Sequence, residues 1–304
     1  MKNIFLLMLV FFIGCTTKPP KWYLTPYNDT QTTIYASASG KTKIDAINNA
    51  LSLAASKISV TINSIFQSTK EYYKTNNSLK TYSNVSQIIT STIKKFEFNN
   101  YKILKIEKKD KFYVLISVDR IKNSNYLYQK ALNNYQKLKE YLKLDDKIEI
   151  LKIYPKIIKQ IDKNISNLYI AKSLYNNPNI DNLIKKFINL KNKFVQRLQN
   201  TAFKIKNDKF NIIKDTLSTL NLNLANNGNI EISSNSIINK YEINNYKIFT
   251  LILNIKIKNK TQINFSINCA GKSIGSYNVA KRFAIKDCKE KLKEKLKEII
   301  QIPY

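Results

Sequence analysis

The sequence contains no histidine at all, and that single absence removes a wide band of chemistry. Without imidazole there is no Ser-His or Cys-His activation of a nucleophile. The zinc sites of the common kinds and the usual neutral-pH general base go with it. Arginine is almost as scarce. Arg120, Arg197 and Arg282 are the only three among 51 Lys+Arg residues, which stand against 21 Asp+Glu for a formal charge of +30. So basic a chain invites a nucleic-acid reading, but bidentate recognition of phosphates and bases favours arginine. Lys, Asn and Ile, all abundant here, share AT-rich codons, so base composition accounts for the excess and no nucleic-acid partner is expected. Glycine is limited to five residues. Gly40-Lys41-Thr42 and Gly271-Lys272-Ser273 stand where a phosphate loop would lie, between a strand and a helix, but Tyr35 and Ser266 occupy the place of its leading glycine. Both are better read as helix starts. Ser91-Thr92-Ile93-Lys94 has the Ser-x-x-Lys spacing of penicillin-recognising enzymes but sits in a β-branched run without the accompanying motifs. No catalytic residue, cofactor or metal ligand emerges, and acidic pairs such as Asp145-Asp146 read as a helix end or loop.

What is present begins at the N-terminus. Lys2 precedes the apolar run Ile4 to Ile13, the basic start and short apolar middle of an export signal, too short to span a bilayer. Gly14-Cys15 ends it. A small residue directly before cysteine is what lipoprotein processing requires, so residues 1–14 read as signal peptide and Cys15 as the acylated N-terminus, carrying palmitate-type chains. Thr16 to Lys21 is then a polar, proline-broken tether. Each buried methylene contributes roughly 0.8 kcal/mol, so two or more acyl chains hold a protein on a membrane durably. Thr16 is not the Asp that retains such proteins at the inner membrane. Outer-membrane delivery, facing the periplasm, is the expectation.

Export also frames the remaining cysteines, Cys269 and Cys288, in an oxidising compartment. Cys269 ends the inward alternation Ile263, Phe265, Ile267. Cys288 lies on the helical stripe Ala280, Ala284, Cys288, Leu292, Leu296. Two inward sulfurs on a strand and its covering helix could meet as a disulfide; two buried free thiols are the alternative.

Periodicity divides the rest into an α+β chain of two small sheet-and-helix domains, 22–122 and 201–304, joined by a helical hairpin or bundle at 123–200. In the first, Thr33 to Ser39 reads as a strand and Thr42 as an N-cap with Asp45 as its reciprocal acid. A helix follows with Ile47, Leu51, Ala54, Ile58, Ile62 and Ile65 on one face and Ala46, Ala50 and Ala54 as a small-residue strip. Three strands come next, around Val85 to Phe96, Tyr101 to Ile106 and Phe112 to Val118, the last pointing Phe112, Val114, Ile116 and Val118 inward. The connector carries three stripes: Leu127 to Leu142, Ile157 to Tyr175, and Ile184 to Leu198, the last helix started by Asp181, with Pro155 beginning or kinking the second. The C-terminal region has a strand at Ala202 to Ile205, a helix from Asp208, strands at Ile230 to Ile238, Tyr246 to Ile257 and Ile263 to Cys269, and a helix from about Tyr277. The repeated order of strand, Gly-Lys-Ser/Thr and Ala-rich helix hints that the two domains are distant copies.

Pro20-Lys21-Trp22, the small-residue strand Tyr35-Ala36-Ser37-Ala38-Ser39-Gly40 and the helix bearing Ala46, Ala50, Ala54 and Ala55 follow directly after the lipidation box. In that order they make Pro20 to Lys122 resemble the LPP-twenty family of outer-membrane lipoproteins, which includes flagellar basal-disk lipoproteins. The resemblance implies a non-enzymatic envelope protein that acts by assembly with other envelope proteins or with itself. A periplasmic module binding peptidoglycan, or a regulator of a wall-building enzyme, is the alternative.

Overall fold

The computed structural model describes residues 18–25, 27–74 and 98–300, with side chains from residue 63 to 74 left aside. Cys15, the export signal and the strand expected at Val85 to Phe96 lie outside the described residues, as does the side chain of Ile65. The described chain is α+β. It forms two compact units, one reaching to Asn133 and including Asp162–Ile184, the other made of Asn134–Ile161 and Lys185 onward.

The first unit contains α1 (Lys21–Leu24), β1 (Thr33–Gly40), α2 (Lys43–Lys74), β2 (Tyr101–Lys108) and β3 (Phe112–Asp119). Its antiparallel sheet has the order β1-β3-β2. Thr42 and Asp45 start α2 as a reciprocal pair: the Asp45 amide donates to Thr42 Oγ1 at 3.1 Å, and the Thr42 amide to Asp45 Oδ2 at 3.1 Å. That satisfies two amides a helix start would leave unpaired. Ala46, Ala50, Ala54, Ile58 and Ile62 form its buried face. Gly40 lets that helix begin against the strand, since a Cβ there would stand 2.4 Å from the Ala46 nitrogen. The central strand β3 departs from simple alternation. Tyr113 and Leu115 are buried as well as Val114, Ile116 and Val118, because it is flanked by strands on both sides and Tyr113 is covered by Tyr23 of α1. On the edge, β2 slips register between Ile103 and Lys105, leaving Leu104 as an extra residue.

Three helices follow: α3 (Arg120–Glu140), α4 (Lys147–Leu174) and α5 (Pro178–Gln199). Leu127, Ala131 and Leu138 are buried on the first, Ile157, Ile161, Ile165 and Leu168 on the second, and Ile184, Phe187, Leu190 and Phe194 on the third. Tyr175 is exposed instead, because α4 ends one residue earlier. Pro155 stands inside α4, so it does not begin that helix. Asp181 does not start α5 either. Pro178 occupies the first helical position, where its missing N–H costs nothing, and Asn177 Oδ1 accepts from the Asn179 amide at 3.0 Å. Asp181 pairs with Lys172 at 2.7 Å.

The second unit's sheet has the order β4-β5-β6-β7, from β4 (Phe203–Lys206), β5 (Ile230–Ile243), β6 (Tyr246–Lys258) and β7 (Gln262–Ser273). Between β4 and β5 runs α6 (Ile212–Thr219), which starts four residues later than Asp208 because Asn207 and Asn211 take left-handed backbone angles first. Asn244 and Asn245, also left-handed, make the two-residue turn joining β5 and β6. Phe249, Leu251, Leu253, Ile255 and Ile257 all point into the core under α7 (Tyr277–Ile300), whose buried stripe is Ala280, Ala284, Cys288, Leu292, Leu296 and Ile300.

Gly271-Lys272-Ser273 is not a helix start. It lies inside β7, and Ser276 begins α7, its Oγ accepting from the Val279 amide at 3.4 Å. Its glycine serves close packing, for a Cβ there would sit 1.9 Å from the Ala280 oxygen and 2.5 Å from the Ala284 nitrogen. Each unit thus has three antiparallel strands, β2-β3-β1 in one and β5-β6-β7 in the other, with an edge strand leading into a helix whose buried face widens from alanine to leucine or isoleucine. The chain order differs, since the helix comes second in the first unit and last in the second.

Candidate anchoring site

Two residues, Thr16 and Thr17, separate Cys15 from Lys18, where the described chain begins. The tether is seated at once. Lys109 Nζ donates to the Lys18 carbonyl at 2.9 Å, Pro20 is buried, and the Tyr23 amide donates to the Pro20 carbonyl at 2.9 Å to open α1. The Tyr23 ring meets Tyr113 edge-on, centroids 4.9 Å apart. Tyr113 donates its hydroxyl to Asp110 Oδ1 at 3.0 Å, and burial, reinforced by that carboxylate, raises its pKa above the ordinary phenol value. The Lys108-Lys109-Asp110-Lys111 loop between β2 and β3, expected as a hairpin loop, is closed by the Lys109 amide donating to the Lys111 carbonyl at 2.9 Å. Its cations lie over rings, Lys108 5.6 Å from Phe112 and Lys111 5.5 Å from Tyr113, while Lys109 pairs with Glu107 at 3.3 Å. On α1, Trp22 is half-buried and Leu24 is exposed.

The other two cysteines are joined. Cys269 on β7 and Cys288 on α7 form a disulfide with their Cα atoms 5.2 Å apart, both buried in the second unit's core. The same helix guards the free edge of that sheet. Asp287 Oδ2 accepts from the Ala270 amide at 3.1 Å, and Lys291 Nζ donates to the Asn268 carbonyl at 2.8 Å, occupying groups a stray strand would otherwise bind. A broad depression of about 860 Å3 runs there, but its carboxylates and lysines neutralise one another, as Lys291 with Asp287 and Lys295 with Glu298, each at 2.8 Å.

Asp145 and Asp146 are structural. Asp146 Oδ1 accepts from the amides of Ile148 at 2.8 Å and Glu149 at 3.3 Å, capping α4, while Oδ2 accepts from the Thr261 amide at 2.6 Å in the β6-β7 turn. Burial works against its charge, yet these hydrogen bonds outweigh burial and hold its pKa below the ordinary carboxylate value. Asp145 pairs with Lys260, whose hydrogen bond lowers the Asp145 pKa in turn. Two buried polar residues that the sequence did not single out stitch the first unit. Asn123 donates to the carbonyls of Asn100 at 2.9 Å and Asp119 at 2.8 Å, and Ser124 donates to Ala171 at 2.8 Å.

Among the described residues no group of three or more His, Cys, Asp or Glu could hold a metal ion, and no helix is long and apolar enough to cross a membrane. Ser91 to Lys94 lies outside them. No curated protein matches the sequence. The crystal structure of a secreted protein from the human pathogen Helicobacter pylori aligns with 89% of this chain and 98% of its own at 15% identity, with a TM-score of 0.41. Residues 20–119, beginning five residues after Cys15, match the model of the LPP20 lipoprotein family.

Proposed function

We propose that the protein is a non-enzymatic lipoprotein of the bacterial cell envelope, acylated at Cys15, delivered to the outer membrane and facing the periplasm, where it acts by assembly with other envelope components. The observation that carries this reading is the position of the LPP20 match, which starts at Pro20 immediately behind a lipidation box. Cys15 is then a membrane attachment of two or more acyl chains, strong enough that no spanning helix is needed. Tightly packed cores, a sealed sheet edge and carboxylates spent on caps and ion pairs suit a protein that works through its surfaces. Association with the flagellar motor is the form of assembly that the family resemblance suggests.

The test is to solubilise the native lipoprotein mildly from outer membranes, crosslink it, and identify what it carries by mass spectrometry. A homomeric assembly or co-purifying motor proteins is the expected result. A monomer carrying peptidoglycan fragments or a wall synthase would replace assembly with the binding or regulatory alternative.

A further inference from the structure

The seat of the tether decides which part of the first unit meets the membrane. The three Cα-to-Cα steps from Cys15 to Lys18 span at most about 11 Å, so an acyl-bearing Cys15 keeps Lys18 within that distance of the headgroup layer, whatever path the two intervening residues take. Lys18 is bonded to Lys109, and the β2-β3 loop is thereby drawn to the same level. What lies there is the mixture that favours a bilayer interface. Trp22 and the exposed Leu24 supply an aromatic and an aliphatic side chain on α1. The same tether, helix and loop carry Lys18, Lys21, Lys108, Lys109 and Lys111, against Glu107 and Asp110 as the acidic groups of the loop and strand end. Glu107 is paired with Lys109, and Asp110 is turned to the Tyr113 hydroxyl. Lys108 and Lys111 face aromatic rings, and among the described residues neither pairs with a carboxylate. Their charge is therefore left for an outside anion.

We propose that α1 and the β2-β3 loop form a docking face for an anionic phospholipid surface, with Trp22 and Leu24 entering the interface and Lys108 and Lys111 contacting lipid phosphates. This rests on the acylation of Cys15, which supplies the high local concentration that lets a few weak contacts hold. Docking fixes the orientation of the first unit, where the acyl chains alone would leave it free to swivel.

Trp22 is the sole tryptophan of the chain and so reports on the face directly. The acylated full-length protein is reconstituted into phosphatidylcholine vesicles brominated near the top of the acyl chains, with or without phosphatidylglycerol. Trp22 fluorescence is expected to be quenched with phosphatidylglycerol, and a Lys108→Glu/Lys111→Glu variant to fall to the level of vesicles lacking it. A Lys108→Arg/Lys111→Arg variant keeps the charges and is expected to keep the quenching, which shows that positive charge, not lysine itself, is what the surface reads. An acylated protein whose Trp22 is unquenched overturns the docking while leaving the anchor intact. So does quenching that ignores both phosphatidylglycerol and the charge reversal. A chain whose mass shows no acyl group overturns the docking and the anchor together.

Discussion

Cutting the Cys269–Cys288 bond is the most informative perturbation of the second unit. The two residues are 19 apart in sequence, and closing a loop of that length in the unfolded chain removes conformational entropy equivalent to about 3 kcal/mol at 25 °C. Both sulfurs remain in the core when the bond is absent, so reduction removes the crosslink with little loss of apolar burial. Reduced protein should therefore unfold at a temperature lower by roughly 6–12 °C in the transition belonging to this unit, and a Cys269→Ala/Cys288→Ala variant, which also deletes both buried sulfurs, should fall further. Calorimetry with and without dithiothreitol measures the shift. Hydrogen exchange localises it: protection should fall in β7 and α7 and be unchanged in β1 and β3, which the bond does not touch. The proposed thioether at Cys15 is inert to reductant, so the comparison involves one bond only. An unaltered melting temperature, or two alkylatable thiols in protein unfolded without reductant, would refute the reasoning.

Gly271→Ala should cost the second unit about 3 kcal/mol in urea denaturation, because its Cβ meets the backbone of α7 at 1.9 Å and no flexible side chain can give way; Gly275→Ala, whose nearest neighbour is Ser273 Oγ at 3.7 Å, should be almost silent. Asp146→Ala removes a cap and leaves the Thr261 amide without its partner, and should cost about 2 kcal/mol by the same assay. Because the folded-state pKa of Asp146 is depressed, its stabilisation is present above the unfolded value of roughly 3.9 and is lost as pH falls through the folded one. Acid titration of stability should accordingly be shallower in Asp146→Asn. Asn123→Ala strips the carbonyls of Asn100 and Asp119 of a buried donor and should destabilise the first unit by about 2–3 kcal/mol, read from loss of hydrogen-exchange protection across β2 and β3.

Elements with strong periods were legible in the sequence. The five inward residues of β6, the alanine strip of α2 and the Cys288 stripe of α7 are each one face of a regular element, and the burial follows that periodicity. Element starts were less so. Asp181 and Asp208 mark helix starts in the sequence, but Asn177-Pro178 begins the one helix, and the left-handed Asn207 and Asn211 delay the other to Ile212, where Asp208 Oδ2 still accepts from the Lys214 amide at 2.9 Å. A cap depends on backbone angles that composition does not specify. Tyr113 and Leu115 were missed as core residues because alternation assumes one covered face, whereas β3 is central and α1 covers Tyr113 from the other side.

By itself the sequence determined the export signal and acylation box as a reading, the exclusion of imidazole chemistry, the α+β class and the resemblance to a lipoprotein family. Those rest on residue identity and on spacings of two to four positions, which any chain with these residues would carry. Tertiary structure alone decided that Lys109 holds the tether at Lys18, that Asp146 joins a helix start to the β6-β7 turn, and that Asn123 stitches the first unit. Such contacts join residues 91, 115 and 23 positions apart, and no local pattern encodes which polar groups will be left facing one another once the cores have closed.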